Sequence, residues 1–214
     1  MPMKPNEREY RNFTLKIIEN DQEQEERTVT GYASTFNEPY TLYEDEEIVI
    51  REQVAPEAFN DADMSDVIMQ YDHEGRVFAR ISNGTLNVTP DEHGLAVRAE
   101  LGGTELGRQL YEEIKGGYTT KMSFGFTVPD DGETWERVAE DTRTIHTRTI
   151  KRVRKVYDVS AVSLPANDGT ALSVRNLSDG VIEKIKAERL KALETERRRL
   201  ELKLRLLTGG KNNE

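Results

Sequence analysis

The chain has 214 residues, a formal net charge of -10 and no cysteine. Its length suits one domain with an appendage or two small domains, and its acidity disfavours a nucleic-acid backbone as partner. Without thiols, disulfides, thiolate catalysis and cysteine-based zinc sites are excluded.

Residues 1–12, "MPMKPNEREYRN", are polar and are expected to form a flexible N-terminus. They contain no apolar h-region, and no later run is long enough to span a bilayer, so a soluble protein without a standard secretion signal is expected. From "FTLKIIE" through "VTGYASTFN" to "EEIVIREQV", short β-prone runs alternate with polar turns. "APEAFNDADMSD" reads as a short helical turn opened by Pro56 and ended by Asn60 and Asp61. "VIMQYDH", "VFARISN", "LNVTPD" and "LAVRAEL" follow as strands. "GTELGRQLYEEIKGG" predicts a helix: Thr104 caps it, Leu106, Leu110 and Ile114 form a stripe, and Gly116 and Gly117 stop it. "YTTKMSFGFTV", a polar stretch around Trp135, "TRTIHTRTI" and "KVYDVSAVSL" complete the strand-rich part. The pattern predicts a mainly-β (α+β) barrel or sandwich with helical decoration.

The composition changes near Leu177. "VIEKIKAERLKALETERRRLELKLRLL" has no Gly or Pro, and Leu190, Leu193, Leu200, Leu204 and Leu207 follow a 3/4 spacing with Arg197 in the seam. A long coiled-coil-like helix is expected there. The expected organisation is therefore a flexible segment over 1–12, a β domain over 13–176 and a helical arm with tail over 177–214.

Ser123 is the first candidate for chemistry. If Met122, Phe124 and Phe126 face the core, alternation puts Ser123 and Gly125 together on the opposite face. Gly125 would leave room there for a substrate backbone; the plainer reading is an exposed strand serine. "KMSFGF" is not a nucleophile elbow, because Lys121 stands where G-x-S-x-G needs glycine. A serine hydroxyl needs a base, and the base needs an orienting group. Of the three histidines, His73 ends a strand beside a turn, His93 lies in the plain turn "PDEHG", and His146 alternates with Thr and Arg as a solvated strand residue would. Asp158 interrupts an apolar run, where a carboxylate must be hydrogen-bonded or paired, with Arg152 or Arg154 as the ordinary salt-bridge partners. No H-E-x-x-H, P-loop or G-x-G-x-x-G is present, and no metal or cofactor is expected.

"MQYDHEGRVFARI", "GGYTTKMSFGFTV" and "VYDVSAVSLPAN", in that order, resemble the prohead (procapsid maturation) serine proteases of tailed phages. "VTGYASTFN" and "QVAPEAF" resemble the family's opening strand and loop, and the resemblance covers roughly residues 12 to 175. It implies the fold of the herpesvirus assembly proteases, a small closed β-barrel surrounded by helices. It implies an endopeptidase that cleaves scaffold protein, or the scaffold-like part of the major capsid protein, inside the immature shell in the host cytoplasm, and that commonly cleaves itself. Carried over by motif, Ser123 is the nucleophile and His73 the general base. Asp158 stands where many members have Glu, a departure that weakens its assignment as third member. The herpesvirus relatives use a second histidine, which keeps His146 open for that role. Ala166 and Asn167, in the "PAND" turn, are candidate oxyanion-hole donors.

A rival from another class is a non-enzymatic assembly protein, a β domain with a coiled-coil arm, which the acidity and the helix fit equally well. The expected partners are the capsid or scaffold protein as substrate and a further copy of this chain; nucleic acid and membrane are not expected. Arg197 and the cluster Arg197-Arg198-Arg199 disfavour self-pairing of the arm and favour an acidic helical partner.

Overall fold

Strand β9 (Lys121–Thr127) shows how the alternation is used: Met122, Phe124 and Phe126 are buried, but so are Ser123, Gly125 and Thr127. The strand is covered on both faces, so the expected open polar face around Ser123 does not exist. The computed structural model describes residues 8–16, 27–140, 143–163 and 178–209. Twelve strands and two helices are formed there: β1 (Glu9–Lys16), β2 (Thr28–Thr35), β3 (Tyr40–Glu44), β4 (Ile48–Val54), β5 (Ile68–Tyr71), β6 (Glu74–Arg80), β7 (Leu86–Pro90), β8 (Gly94–Glu100), α1 (Glu105–Lys115), β9, β10 (Glu133–Glu140), β11 (Arg143–Ile150), β12 (Lys155–Val162) and α2 (Ser178–Gly209).

The chain divides into two units, Met1–Asn176 and Leu177–Glu214. In the first, eight strands form one sheet in the order β6-β5-β12-β9-β1-β2-β8-β7, and four form a second in the order β10-β11-β4-β3. Among the described strands, only β12 with β5 and β11 with β4 pair in parallel. Phe59, from the turn Pro56–Phe59, is buried between Phe36 and Phe124, with ring centroids 6.1 Å from each. Helix α1 begins as expected: Thr104 Oγ1 accepts from the Gly107 N–H at 3.0 Å. Leu110 and Ile114 are buried, whereas Leu106 is exposed and Gly107 is buried in its place, close to the Leu101 carbonyl.

Three expectations are corrected. The sheets are not closed into a barrel: β6 and β7 stand at the two ends of the larger one. Closure needs a continuous staggered ladder. Among the described residues no ladder joins β6 to β7, and the β5–β6 register itself jumps between Met69 and Tyr71. Helices do not surround the strands either; among the described residues of the first unit α1 is the one α-helix, beside two short 3-10 turns. Finally, Glu9–Asn12, expected to be flexible, are the first half of β1, laddered to β9 through Glu9↔Phe126, Tyr10↔Gly125, Arg11↔Phe124 and Asn12↔Ser123.

That strand is held by buried charge. Arg11 and Arg148 are 1% and 0% exposed, and Glu9 and Glu52 3% and 0%. Arg11 grips Glu52 with two nitrogens, Nη2 donating to Oε2 at 2.8 Å, and also donates to Glu9 Oε2 at 2.7 Å. Arg148 donates to Glu52 Oε2 at 2.7 Å, to Glu9 Oε1 at 2.9 Å and through Nε to Glu133 at 2.6 Å. Tyr40 donates to Glu52 as well. The cluster joins β1 of the larger sheet to β3, β4, β10 and β11 of the smaller one. Burial alone would raise Glu52, but the cations of Arg11 and Arg148 outweigh it and lower its pKa from 4.5 to about 2.

A depressed native carboxylate stabilises the fold above its unfolded pKa, and that contribution is lost as pH falls through the native value. Glu52→Gln should therefore cost about 3–5 kcal/mol at neutral pH, as breaking a buried ion cluster does. The gap to the unsubstituted protein should narrow as the medium is acidified from pH 4.5 toward 2. Denaturant titrations at neutral pH and at about pH 3 check this; an equal gap at both would contradict the charge lock.

Candidate active site

Strands β9 and β12 pair antiparallel, and residues directly opposite share a face. Val156 lies opposite Phe126, both in the core. One residue later the register slips: Tyr157 has no partner, and Asp158 lies opposite Gly125. From there Val159 faces Phe124, Ser160 faces Ser123 and Ala161 faces Met122. Tyr157 is thus a β-bulge, and it reverses the facing of everything after it. Without it Asp158 would oppose Phe124 in the core. With it, Asp158 and Ser160 join Ser123 on the other face.

Gly125 provides the space this requires. A Cβ there would collide with Asp158 Oδ1 and stand 2.8 Å from Tyr10 Cε1. The room that the sequence reading reserved for a substrate backbone is taken by the Asp158 carboxylate and the Tyr10 ring.

His73 arrives from the β5–β6 hairpin. Tyr71 pairs with Glu74, so the loop is Asp72-His73, and both residues have positive φ, 48° and 61°. Two left-handed residues fit a type I′ turn, which matches strand twist but prefers Asn-Gly. A non-glycine residue held there costs of order 1 kcal/mol. The turn aims the imidazole across β12 at β9. His73 Nε2 lies 2.7 Å from Ser123 Oγ, and Nδ1 lies 2.5 Å from Asp158 Oδ2. Ser160 Oγ donates to the same Oδ2 at 3.0 Å. The Tyr10 ring packs against the imidazole with centroids 4.1 Å apart. Ser123 is fully buried and Asp158 nearly so, while the His73 side chain keeps 16% exposure.

The structure therefore brings Ser123, His73 and Asp158 into one hydrogen-bonded chain. A hydroxyl, an imidazole and a carboxylate in this order can move a proton from Oγ to Nε2 while the carboxylate faces the imidazolium that forms. Arg152 pairs with Asp131. The ordinary salt-bridge reading of Asp158 gives way to the contacts with His73 and Ser160. His146 stands on β11 of the smaller sheet, opposite Arg137 and Ile50, while both ring nitrogens of His73 are already engaged. His93 sits in the β7–β8 turn, its ring edge-on to Tyr32 at 4.6 Å. Ala166 and Asn167 lie outside the described residues. Among the described residues no group of three or more His, Asp or Glu is placed to hold a metal ion.

Tyr10 and Ser160 are the site neighbours that sequence reasoning missed. Ser160 carried a signal: the apolar positions switch from even, Val156, to odd, Val159 and Ala161, and that parity break is a bulge that puts Asp158 and Ser160 together. Tyr10 gave none, since it lay in a segment expected to be flexible.

A family model described as caudovirus prohead serine protease matches residues 13–185. No curated protein and no solved structure matches the chain.

Gly125→Ala tests the packing behind this geometry. The added methyl must displace the Asp158 carboxylate or the Tyr10 ring, at a cost of about 1–3 kcal/mol for overpacking. Labelling of Ser123 by a fluorophosphonate should slow by roughly tenfold or more as Asp158 is pushed off His73. Unchanged stability and labelling would mean that the space is not needed.

Proposed function

The chain belongs to the caudovirus prohead serine protease family, a family of serine peptidases, and on that premise we propose that Ser123, His73 and Asp158 are its catalytic residues. The observation that carries this reading is the pair of hydrogen bonds that His73 makes, 2.7 Å to Ser123 Oγ and 2.5 Å to Asp158 Oδ2. Ser123 Oγ attacks the scissile carbonyl as His73 Nε2 takes its proton; His73 then returns that proton to the leaving amine. Asp158 fixes the imidazole with Nδ1–H toward itself and stabilises the imidazolium. The acyl-enzyme is hydrolysed by water activated at the same nitrogen. Asp158 is shorter than the Glu many members carry, and its Oδ2 still lies 2.5 Å from His73 Nδ1.

The substrate in this reading is scaffold protein, or the scaffold-like part of the capsid protein, inside the prohead, with self-cleavage as a further activity. The arm α2 supports recruitment. Its Leu190, Leu193, Leu200 and Leu204 are all more than half exposed, and Leu207 lies outside the described side chains. Such a seam calls for a partner helix. Arg197, within the seam, pairs with Glu201 at 3.0 Å along its own helix, and a charged seam position weakens self-pairing. An acidic helical segment of the scaffold is the partner we assign to it.

Co-expression with the capsid or scaffold protein, read by intact mass, tests the activity. Ser123→Ala and His73→Ala should each lower kcat by roughly 10⁶-fold with the fold intact, and Asp158→Ala by roughly 10⁴-fold. Equal cleavage by Ser123→Ala would leave the assembly-protein reading in its place. For the arm, a chain ending before Leu177 should stay folded and cleave a small peptide, yet fail to enter shells; undiminished packaging would end the recruitment idea.

A further inference from the structure

The turn that carries His73 is strained in a place where its sequence gives no relief. Neither Asp72 nor His73 is glycine, yet both are left-handed. Such a conformation persists where surrounding contacts over-determine it. Here the contacts are specific. The Asp72 N–H donates to Ala161 O at 2.9 Å, continuing the parallel β5–β12 pairing one step beyond Tyr71↔Ala161. The Asp72 carboxylate then straddles the end of β12: Oδ1 accepts from the Ser163 N–H and Oδ2 from Ser163 Oγ, each at 2.8 Å. The turn is thereby strapped to the strand that presents Asp158 and Ser160.

We propose that Asp72 is a positioning residue for the reaction, acting through the Asp72–Ser163 strap to hold His73 between Ser123 and Asp158. The inference rests on the catalytic reading above. β5 is only four residues long, and β6 leaves the regular ladder directly after the turn. The hairpin alone therefore fixes its tip poorly. The base stands at that tip, while nucleophile and acid stand on adjacent interior strands. Three groups from three strands stay aligned only if the tip is tied to one of those strands, and Asp72 is the residue that makes the tie. Misplacement of a reacting group by about 1 Å costs roughly 10²-fold in rate. A strap that only positions the base acts on kcat and leaves KM unchanged.

Variants at Asp72 separate the strap from the turn. Asp72→Gly keeps the left-handed conformation and loses the carboxylate; kcat on a peptide substrate should fall about 10–100-fold with KM unchanged, and labelling of Ser123 by a fluorophosphonate should slow in parallel. Asp72→Asn keeps both the conformation and an acceptor for the Ser163 N–H, and should recover the rate to within about threefold. Ser163→Ala removes one of the two hydrogen bonds at no conformational cost and should give a loss of about 3–10-fold; it decides the matter should Asp72→Gly fail to fold. Wild-type kcat in Asp72→Gly or in Ser163→Ala would overturn the proposal, as would equal losses in Asp72→Gly and Asp72→Asn. Ser123→Ala is run alongside: if it cleaves as fast as the wild type, the catalytic reading itself has failed, a result distinct from a dispensable strap.

Discussion

The single unpaired residue at Tyr157 decides the facing of the whole site. A strand has a period of two, so one inserted residue turns every later side chain to the other surface. Val156 enters the core before the bulge, and Val159 and Ala161 enter it after. Asp158 and Ser160 are thereby released from the core and set opposite Gly125 and Ser123. A carboxylate directed into the Phe59–Phe124–Phe126 cluster would have no partner and would cost several kcal/mol. Directed the other way it meets His73 and Ser160, and its burial becomes tolerable because Oδ2 is paired with both.

The same strand also explains why a base on a loop can serve a nucleophile on an interior strand. β12 lies between β5 and β9 in the larger sheet. Its antiparallel ladder to β9 fixes Asp158 relative to Ser123, and its parallel ladder to β5 fixes the base of the hairpin that bears His73. Backbone pairing thus sets Ser123 and Asp158 relative to each other and to the root of the hairpin, and the contacts of Asp72 with the end of β12 carry that placement to His73 at the tip. Two of the three groups stand on strands, where positioning is stiffer than on loops.

The sequence showed more of the site than of the sheet edges. Motif order led to Ser123, His73 and Asp158, and the apolar alternation in "KMSFGF" located β9 correctly. The paired carboxylate and imidazole needed the structure, because their meeting depends on strand order, which no local pattern encodes. Strands β3 and β10 are hard to read from sequence for a physical reason. They are the two edges of the smaller sheet, and β10 is exposed along nearly its whole length, so it shows no buried-outward alternation to read. The expected barrel came with the resemblance and had no local pattern behind it, since whether the end strands β6 and β7 pair depends on strand order. The polar character of "NEREYRN" suggests flexibility, whereas Glu9 and Arg11 pair with Arg148 and Glu52 across the gap between the sheets.

The buried charge cluster ties the fold to the site. Along β1 the side chains alternate, so Glu9 and Arg11 share one face and Tyr10 takes the other. The first face is committed to the buried cluster with Glu52 and Arg148, whose charges must stay paired. Tyr10 is then left facing Gly125 and the imidazole of His73, with no freedom to turn away. The charge lock between the sheets therefore also sets one wall of the site. One strand thus serves both purposes: electrostatics on one face of β1 hold in place the ring that its other face turns toward the chemistry.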